Sequence, residues 1–232
     1  MSGEVVVITG GGRGIGRATA LRFARAGAHI VAASRSLPEL EETRRLVEAG
    51  GGKCRTRVTD VASPDDVAAL IEDALQHKGR VDVLVNNAGV APQATMENLD
   101  PSQFHMLYTV NIAALFHTSR AVWGVMKRQG QGVIVNISSI AALDPFPGFA
   151  AYGASKAWVN AWTKGLAEEG RSCGIRVFAV APGAVETRML RDAFPDFPRE
   201  QTLQPEDVAD VVFALAQNEC RYATGQTVFV KK

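Results

Sequence analysis

Apolar residues in this chain gather in short β-branched runs, separated by longer stretches with helical spacing. Val5–Thr9 is the first such run and reads as a buried parallel strand. It leads into Gly10-Gly-Gly-Arg-Gly-Ile-Gly16 and then a helical pattern through Ala18, Leu21, Phe23 and Ala24. His29–Ser34 is the second strand. Leu37–Gly50 is an amphipathic helix whose Glu41, Glu42, Arg44 and Arg45 form a solvated outer face. Lys53–Thr59 alternates like a strand and ends at Asp60-Val61. Ser63-Pro-Asp-Asp opens another helix, with serine as N-cap, proline in the first turn and acids at the positive dipole end. The strand Val81–Val85 delivers Asn86-Asn-Ala-Gly89. Asp100–Gln129 is predicted as one long helix around Asn111, an asparagine expected to be exposed or bonded to nearby backbone. Gly132–Ile137 is a further strand and ends at Ser138-Ser139. A loop rich in Pro and Phe, Ile140–Ala151, then leads to a helix over Tyr152–Gly170.

At 232 residues the chain is long enough for one large α/β domain with a full core. No linker or internal repeat divides it, so residues 1–232 are expected to form a single domain. A net charge of +1 points to neither a nucleic-acid partner nor an acidic tail. With no run of eighteen apolar residues, no membrane span is expected. Met1-Ser-Gly-Glu4 passes straight into the first strand without a basic region and does not read as a signal peptide. Cys54, Cys173 and Cys220 are odd in number and far apart, which fits reduced thiols in a cytoplasmic protein. His29, His77, His105 and His117 show no metal-ligand spacing, and no metal is expected.

Strand, glycine turn and helix form the context of a phosphate-binding turn. Glycines let the backbone approach a pyrophosphate, and the helix N-terminus offers free N–H groups. The spacing is Gly10-xxx-Gly14-x-Gly16, preceded by Thr9. A fold that prefers NAD places an acid at the end of its second strand, about 20 residues beyond the glycines. Here Ser34 and Arg35 stand in that place. Serine does not repel a 2′-phosphate, and a guanidinium pairs with it, as Arg13 in the glycine turn can. The cofactor expected is therefore NADP(H).

Tyr152 and Lys156 stand four apart, on one face of a helix. An ammonium about 4 Å from the phenol, at an effective dielectric of roughly 20, favours the phenolate by about 4 kcal/mol. The pair is thus expected to bring the tyrosine down toward neutral pH, where it serves as general acid or base.

Thr9-Gly-xxx-Gly-x-Gly16, Asn86-Asn-Ala-Gly89, Ser139, Tyr152-xxx-Lys156 and Pro182-Gly-xxx-Thr187 occur in the order and spacing of one family. The chain resembles the compact, single-domain branch of the short-chain dehydrogenase/reductases, over about Val5 to Val230. The resemblance implies a Rossmann-like doubly wound parallel sheet of about seven strands. It implies that Tyr152 is the general acid in reduction and the base in oxidation, and that Ser139 hydrogen-bonds the substrate oxygen. Lys156 would lower the tyrosine pKa and bind the nicotinamide ribose, and Asn111 would hold a water in a proton relay. Gly10, Gly14, Ile15 and Gly16 would line the pyrophosphate, Asp60 and Val61 the adenine, and Asn87 and Gly89 the length of the cofactor. Pro182, Gly183, Val185 and Thr187 would adjoin its carboxamide or phosphate end.

The sequence departs from that family's pattern in three places. Ala142 replaces a common glycine after the serine pair. The substrate-loop segment 188–204, a mobile lid in the family, is short. The sequence stops at Val228-Phe-Val-Lys-Lys232, where relatives continue through Asp-Gly-Gly into one usual interface and the pocket floor. Trp158 and Trp162 lie on a helix that forms a subunit interface in the family, so a homo-oligomer, dimer or tetramer, is expected.

The reading is a reductase of a small carbonyl, or a dehydrogenase of the corresponding secondary alcohol. Phe146, Phe149, Met189, Phe194 and Phe197 favour a hydrophobic ketone or acyl chain. An acyl chain on an acidic carrier is one candidate, with Lys127, Arg128 and Arg171 as its docking cations, and a diffusible aldehyde, ketone, sugar or diketone fits equally well. The alternative is a nucleotide-binding regulatory protein without turnover, which predicts damage to Ser139, Tyr152 or Lys156. Epimerase or dehydratase relatives carry a larger C-terminal substrate domain, for which this sequence has no room.

Overall fold

The computed structural model describes residues 3–232. Met1 and Ser2, where the stretch read as lacking a signal peptide begins, lie outside the described residues. Seven strands form one sheet: β1 (Val5–Thr9), β2 (His29–Ser34), β3 (Lys53–Val58), β4 (Val83–Asn86), β5 (Gly132–Ile137), β6 (Ile175–Pro182) and β7 (Thr227–Val230). Their spatial order is β3-β2-β1-β4-β5-β6-β7, and every neighbouring pair is parallel. The helices are α1 (Gly14–Arg25), α2 (Leu37–Ala49), α3 (Pro64–Lys78), α4 (Pro101–Leu107), α5 (Ala114–Gln129), α6 (Ala150–Gly170), α7 (Arg188–Ala193) and α8 (Pro205–Ala216).

Both faces of the sheet are covered, which explains the uninterrupted apolar strands. Val6 and Ile8 of β1 face α1, α2 and α8, where Phe23, Leu40 and Val212 pack. Val5 and Val7 face α3, α5 and α6, where Leu70, Met126 and Leu166 pack. Fully burying a side chain such as Phe23 or Leu70 contributes about 1.5–3 kcal/mol. Strand order reverses at β1, so a crevice opens beyond the carboxyl ends of β1 and β4, the place where such sheets bind ligands.

Two expectations change. The strand expected over 81–85 is β4, Val83–Asn86. Val81 and Asp82 anchor its start instead: Val81 N–H donates to Gln129 Oε1 (3.0 Å), and Asp82 Oδ2 accepts from Val5 N–H (2.8 Å). The helix expected over 100–129 is not uniform. It begins as expected, with Asp100 and Gln103 forming a capping box, but widens into a π-turn over Tyr108–Ala113 before α5. Asn111 sits on that turn and is fully buried rather than exposed.

Among the described residues no helix is long and apolar enough to cross a membrane. None of the described residues forms a group of three or more His, Cys, Asp or Glu able to hold a metal. The three cysteines are free thiols, and burial pushes the Cys54 thiol up to about 12.

Candidate active site

One cavity of about 1130 Å³ runs along the carboxyl ends of the strands. Gly10, Arg13, Gly14, Ile15, Ser34, Arg35, Asp60 and Val61 line one end of it. Asn87, Gly89, Ser139, Tyr152, Lys156, Pro182, Gly183, Val185 and Thr187 line the remainder. Of the residues named from the sequence, Gly16 and Asn111 lie just behind this wall.

The glycine turn is shaped by contact. A Cβ on Gly10 would stand 2.7 Å from Asn87 Nδ2, and one on Gly16 would fall onto the Gly10 carbonyl. Gly10 and Gly14 also have positive φ, 63° and 51°, which side chains rarely adopt. The turn is held from β4: Thr9 Oγ1 accepts from the N–H groups of Asn87 and Ala88, both at 3.1 Å. Asn87 Nδ2 returns bonds to Thr9 O (3.0 Å) and Gly10 O (3.1 Å). Asn87 therefore braces the turn. α1 starts behind it with no side-chain cap, which suits its N–H groups to an anion. Thr187 caps α7 and faces Gly14, its Cγ2 3.3 Å from where a Cβ would sit there. This backbone cradle fits a pyrophosphate.

Beyond β5 the wall carries reactive side chains. Lys156 is buried, and its ammonium donates to Ile137 O at 2.8 Å. Burial lowers it to about 8. Its Nζ lies 5.7 Å from the centre of the Tyr152 ring. Burial raises the Tyr152 phenol, and a hydrogen bond with the Ser139 side chain partly offsets this. The expectation of a tyrosine drawn toward neutral pH is corrected: desolvation by burial is the larger effect and raises the phenol, which keeps its proton. Ser139 Oγ also accepts from Ala141 N–H (3.2 Å), which fixes the hydroxyl at the cleft edge.

Asn111 joins this group from behind. Its Oδ1 accepts from Val90 N–H at 2.9 Å, and its Nδ2 donates to Val90 O (2.9 Å) and Ser155 Oγ (3.0 Å). A Cβ on Gly89 would sit 3.5 Å from Asn111 Oδ1 and 3.6 Å from Lys156 Nζ, so glycine leaves the space between them open. Beneath lies a polar ladder that sequence reading missed. Thr118 Oγ1 donates to Asn86 Oδ1 (2.8 Å), Asn86 Nδ2 to Asn136 Oδ1 (2.9 Å), and Asn136 Nδ2 to Thr163 Oγ1 (2.9 Å). It ties β4 and β5 to α5 and α6 directly under the reactive groups.

The rest of the cavity is aromatic. The Phe149 ring meets Tyr152 edge-on at 5.8 Å and stacks on Phe194 at 5.6 Å; Phe197 follows at 6.5 Å. Phe146 and Met189 complete the apolar lining. The 188–204 segment is pinned by a pair sequence reading also missed: Arg191 Nε donates to Glu186 Oε1 (2.8 Å), and its NH1 to Phe197 O (2.6 Å). Lys127, Arg128 and Arg171 stand elsewhere, just before the amino ends of β5 and β6, so within one chain they do not border this cleft.

A glycine cradle at the switch point of a parallel sheet, beside Ser139, Tyr152 and the buried Lys156, defines a dinucleotide-binding oxidoreductase. The sequence pattern of the short chain dehydrogenase family matches residues 4–197. The chain belongs to that family. It is 37% identical to the 3-oxoacyl-[acyl-carrier-protein] reductase FabG of Thermotoga maritima, across 98% of this chain and 96% of the relative. The structure of the 3-ketoacyl-(acyl-carrier-protein) reductase of Brucella melitensis, complexed with NADH, superposes with TM-score 0.92 and 32% identity, covering 99% and 97% of the two chains. An actinorhodin polyketide ketoreductase variant with NADPH superposes with TM-score 0.94 and 30% identity, covering 100% and 98%.

Proposed function

We propose that this chain is an NADP(H)-dependent reductase of hydrophobic ketones, with 3-oxoacyl chains as a leading class of substrate. The observation that carries this is a single cavity holding three things: a cradle for pyrophosphate, a Ser-Tyr-Lys group whose lysine is buried, and an aromatic lining. The nicotinamide supplies or accepts the hydride. The protein provides position, a proton and stabilisation of developing charge.

Tyr152 is the proton donor. Its raised pKa keeps the phenol protonated at neutral pH, the state needed to protonate a carbonyl oxygen as that oxygen gains charge. Ser139 donates a second hydrogen bond to the same oxygen. Lys156, whose ammonium lies 5.7 Å from the centre of the Tyr152 ring, steadies the phenolate left behind. The open space beside Gly89 admits the proton relay toward Asn111. Lys156 and Thr187 would hold the nicotinamide end, and Arg13, Ser34 and Arg35 the adenosine end, where paired cations favour a 2′-phosphate. Residues 188–204 act as the lid over the substrate. FabG relatives act on carrier-bound chains, which supports an acyl substrate; the carrier's docking cations on this chain would then serve a neighbouring subunit's cleft.

The enzyme is proposed to work as a homo-oligomer. Phe104, Tyr108 and Phe116 are exposed on α4, the π-turn and α5, beside the stacked pair Trp158 and Trp162. Phe116 lies 6.3 Å from Trp162, so these rings form one face suited to a second copy. Light scattering on the purified protein separates dimer from tetramer.

The test of the activity is NADPH oxidation against an acetoacetyl thioester, an aromatic ketone, a diketone and an aliphatic aldehyde. Turnover is expected with the apolar ketones or the thioester. Tyr152→Phe should lower it by about a thousandfold while leaving NADPH affinity within about twofold. Near-normal turnover in that variant sinks the assignment. Tight NADPH binding without turnover on any substrate favours the regulatory alternative.

A further inference from the structure

Glu39 stands in the first turn of α2, on a helix whose other acids face solvent. Its backbone is fixed. The Glu39 carbonyl accepts from Arg17 NH2 (3.2 Å) and from Thr43 Oγ1 (3.1 Å). The same two side chains reach the Gly12 carbonyl, at 2.5 and 3.1 Å. A Cβ on Gly12 would meet Ser34 Oγ at 2.9 Å and Glu39 Cβ at 3.0 Å. The glycine turn and the start of α2 are therefore one block, and the carboxylate projects from it at a fixed place.

That place is shared by two cations. Glu39 Oε1 lies 3.2 Å from Arg13 NH1 and 3.3 Å from Arg188 NH1. Arg13 belongs to the phosphate turn, and Arg188 opens α7 at the base of the lid. One carboxylate oxygen joins both banks of the adenosine end of the cleft. Its side chain is only 25% exposed, whereas the two arginines are 50% and 61% exposed, so the acid is the held member and the cations are the movable ones.

We propose that Glu39 is a specificity-determining residue that holds down the preference for a 2′-phosphate. The inference rests on the nicotinamide-cofactor reading above. A cofactor bearing the phosphate has to draw Arg13 off Glu39 and then lie beside a like charge. A cofactor with an unmodified ribose leaves the Arg13–Glu39–Arg188 clasp whole. The two arginines that argue for NADP(H) thus work against a built-in acidic counterweight, and the site accepts both nucleotides more evenly than those cations alone dictate.

Binding, rather than turnover, tests this. Wild type, Glu39→Gln and Glu39→Asp are each titrated with NADPH and with NADH, following energy transfer from protein tryptophans to the nicotinamide. Glu39→Gln keeps the size and loses the charge. It should bind NADPH about tenfold more tightly and NADH within about twofold of wild type, the scale of one like charge removed beside a phosphate. In 1 M salt that gain should shrink toward nothing. Glu39→Asp keeps the charge and should stay near the wild-type ratio. An unchanged NADPH-to-NADH ratio in Glu39→Gln overturns the proposal. So does a selective loss of NADH affinity, which would make the carboxylate a ribose ligand instead. If wild type binds neither nucleotide, the cofactor reading falls as well; if it binds both and the variant ratio stays put, only this inference falls.

Discussion

Between β1 and β4 the cleft wall is main chain, packed too tightly to admit a methyl group. Beyond β5 it is a run of aromatic rings resting on one another, from Tyr152 through Phe149 to Phe194 and Phe197. The first wall recognises what every dinucleotide carries, a pyrophosphate, and it does so with geometry that a single atom would spoil. The second recognises shape and apolarity, and its Phe194 and Phe197 sit on a segment held by the Arg191–Glu186 and Arg188–Glu39 pairs and a few backbone contacts. A shared cofactor can be met by a rigid surface. A substrate that must enter and leave is better met by side chains that can part.

The contrast can be broken most forcefully at the one residue that serves both walls. Lys156→Met should lower turnover by about a thousandfold, because the cation that steadies the phenolate is gone. The same change should make the fold more stable. Burial lowers the lysine from 10.5 to about 8, a cost of roughly 3 kcal/mol at pH 7. Leaving the Ile137 carbonyl without its donor returns about 1 kcal/mol, so a net gain of about 2 kcal/mol is expected. The sign follows from proton counting. Between pH 8 and 10.5 the unfolded wild-type chain binds more protons at this lysine than the folded one, so wild-type stability rises across that window. The variant lacks this rise, and its advantage should vanish near pH 10.5. Urea denaturation of both proteins at pH 7 and pH 10 measures the gap, and an equal gap at the two values contradicts the burial cost.

Gly16→Ala sharpens the contrast on the nucleotide side. Its new methyl falls on the Gly10 carbonyl, so the turn must move. Overpacking of this kind costs about 2 kcal/mol, and NADPH and NADH should both bind about thirtyfold more weakly. Equal losses mark a backbone effect, whereas a loss confined to NADPH would place the damage at the adenosine phosphate. Phe194→Ala probes the other wall and should have the smallest effect: KM for an apolar ketone should rise about tenfold, with cofactor affinity unchanged in the same titration.

Much of this architecture was legible in the sequence because it is local. β1, β2 and β5 begin and end at the predicted residues, since each is a short apolar run bounded by glycine or serine. The glycine turn, Ser139, Tyr152 and Lys156 announced themselves by spacing within one turn or one loop. What stayed hidden depends on contacts distant in sequence. Glu39 reads as one more acid on a charged helix, until the fold brings Arg13 and Arg188 to it. The Asn86–Asn136–Thr163 ladder joins three separate elements and has no periodicity to betray it. The tyrosine pKa was misjudged for a related reason. Spacing revealed the nearby cation but not the burial that opposes it.

The π-turn at Tyr108–Ala113 carries a consequence for how this site can be lost. A π-turn holds one more residue than the α-turn it replaces. Removing a single residue there would let the helix close into a regular one, with the segments on either side keeping the faces they now present, because the widened turn is what absorbs the extra residue. Only the residues on the turn itself would be re-aimed. Asn111 would leave the group that now includes Val90, Ser155 and Lys156. A frame-preserving loss of three nucleotides could therefore convert this enzyme into a folded, nucleotide-binding protein without a proton path, with Tyr152 and Lys156 still in place.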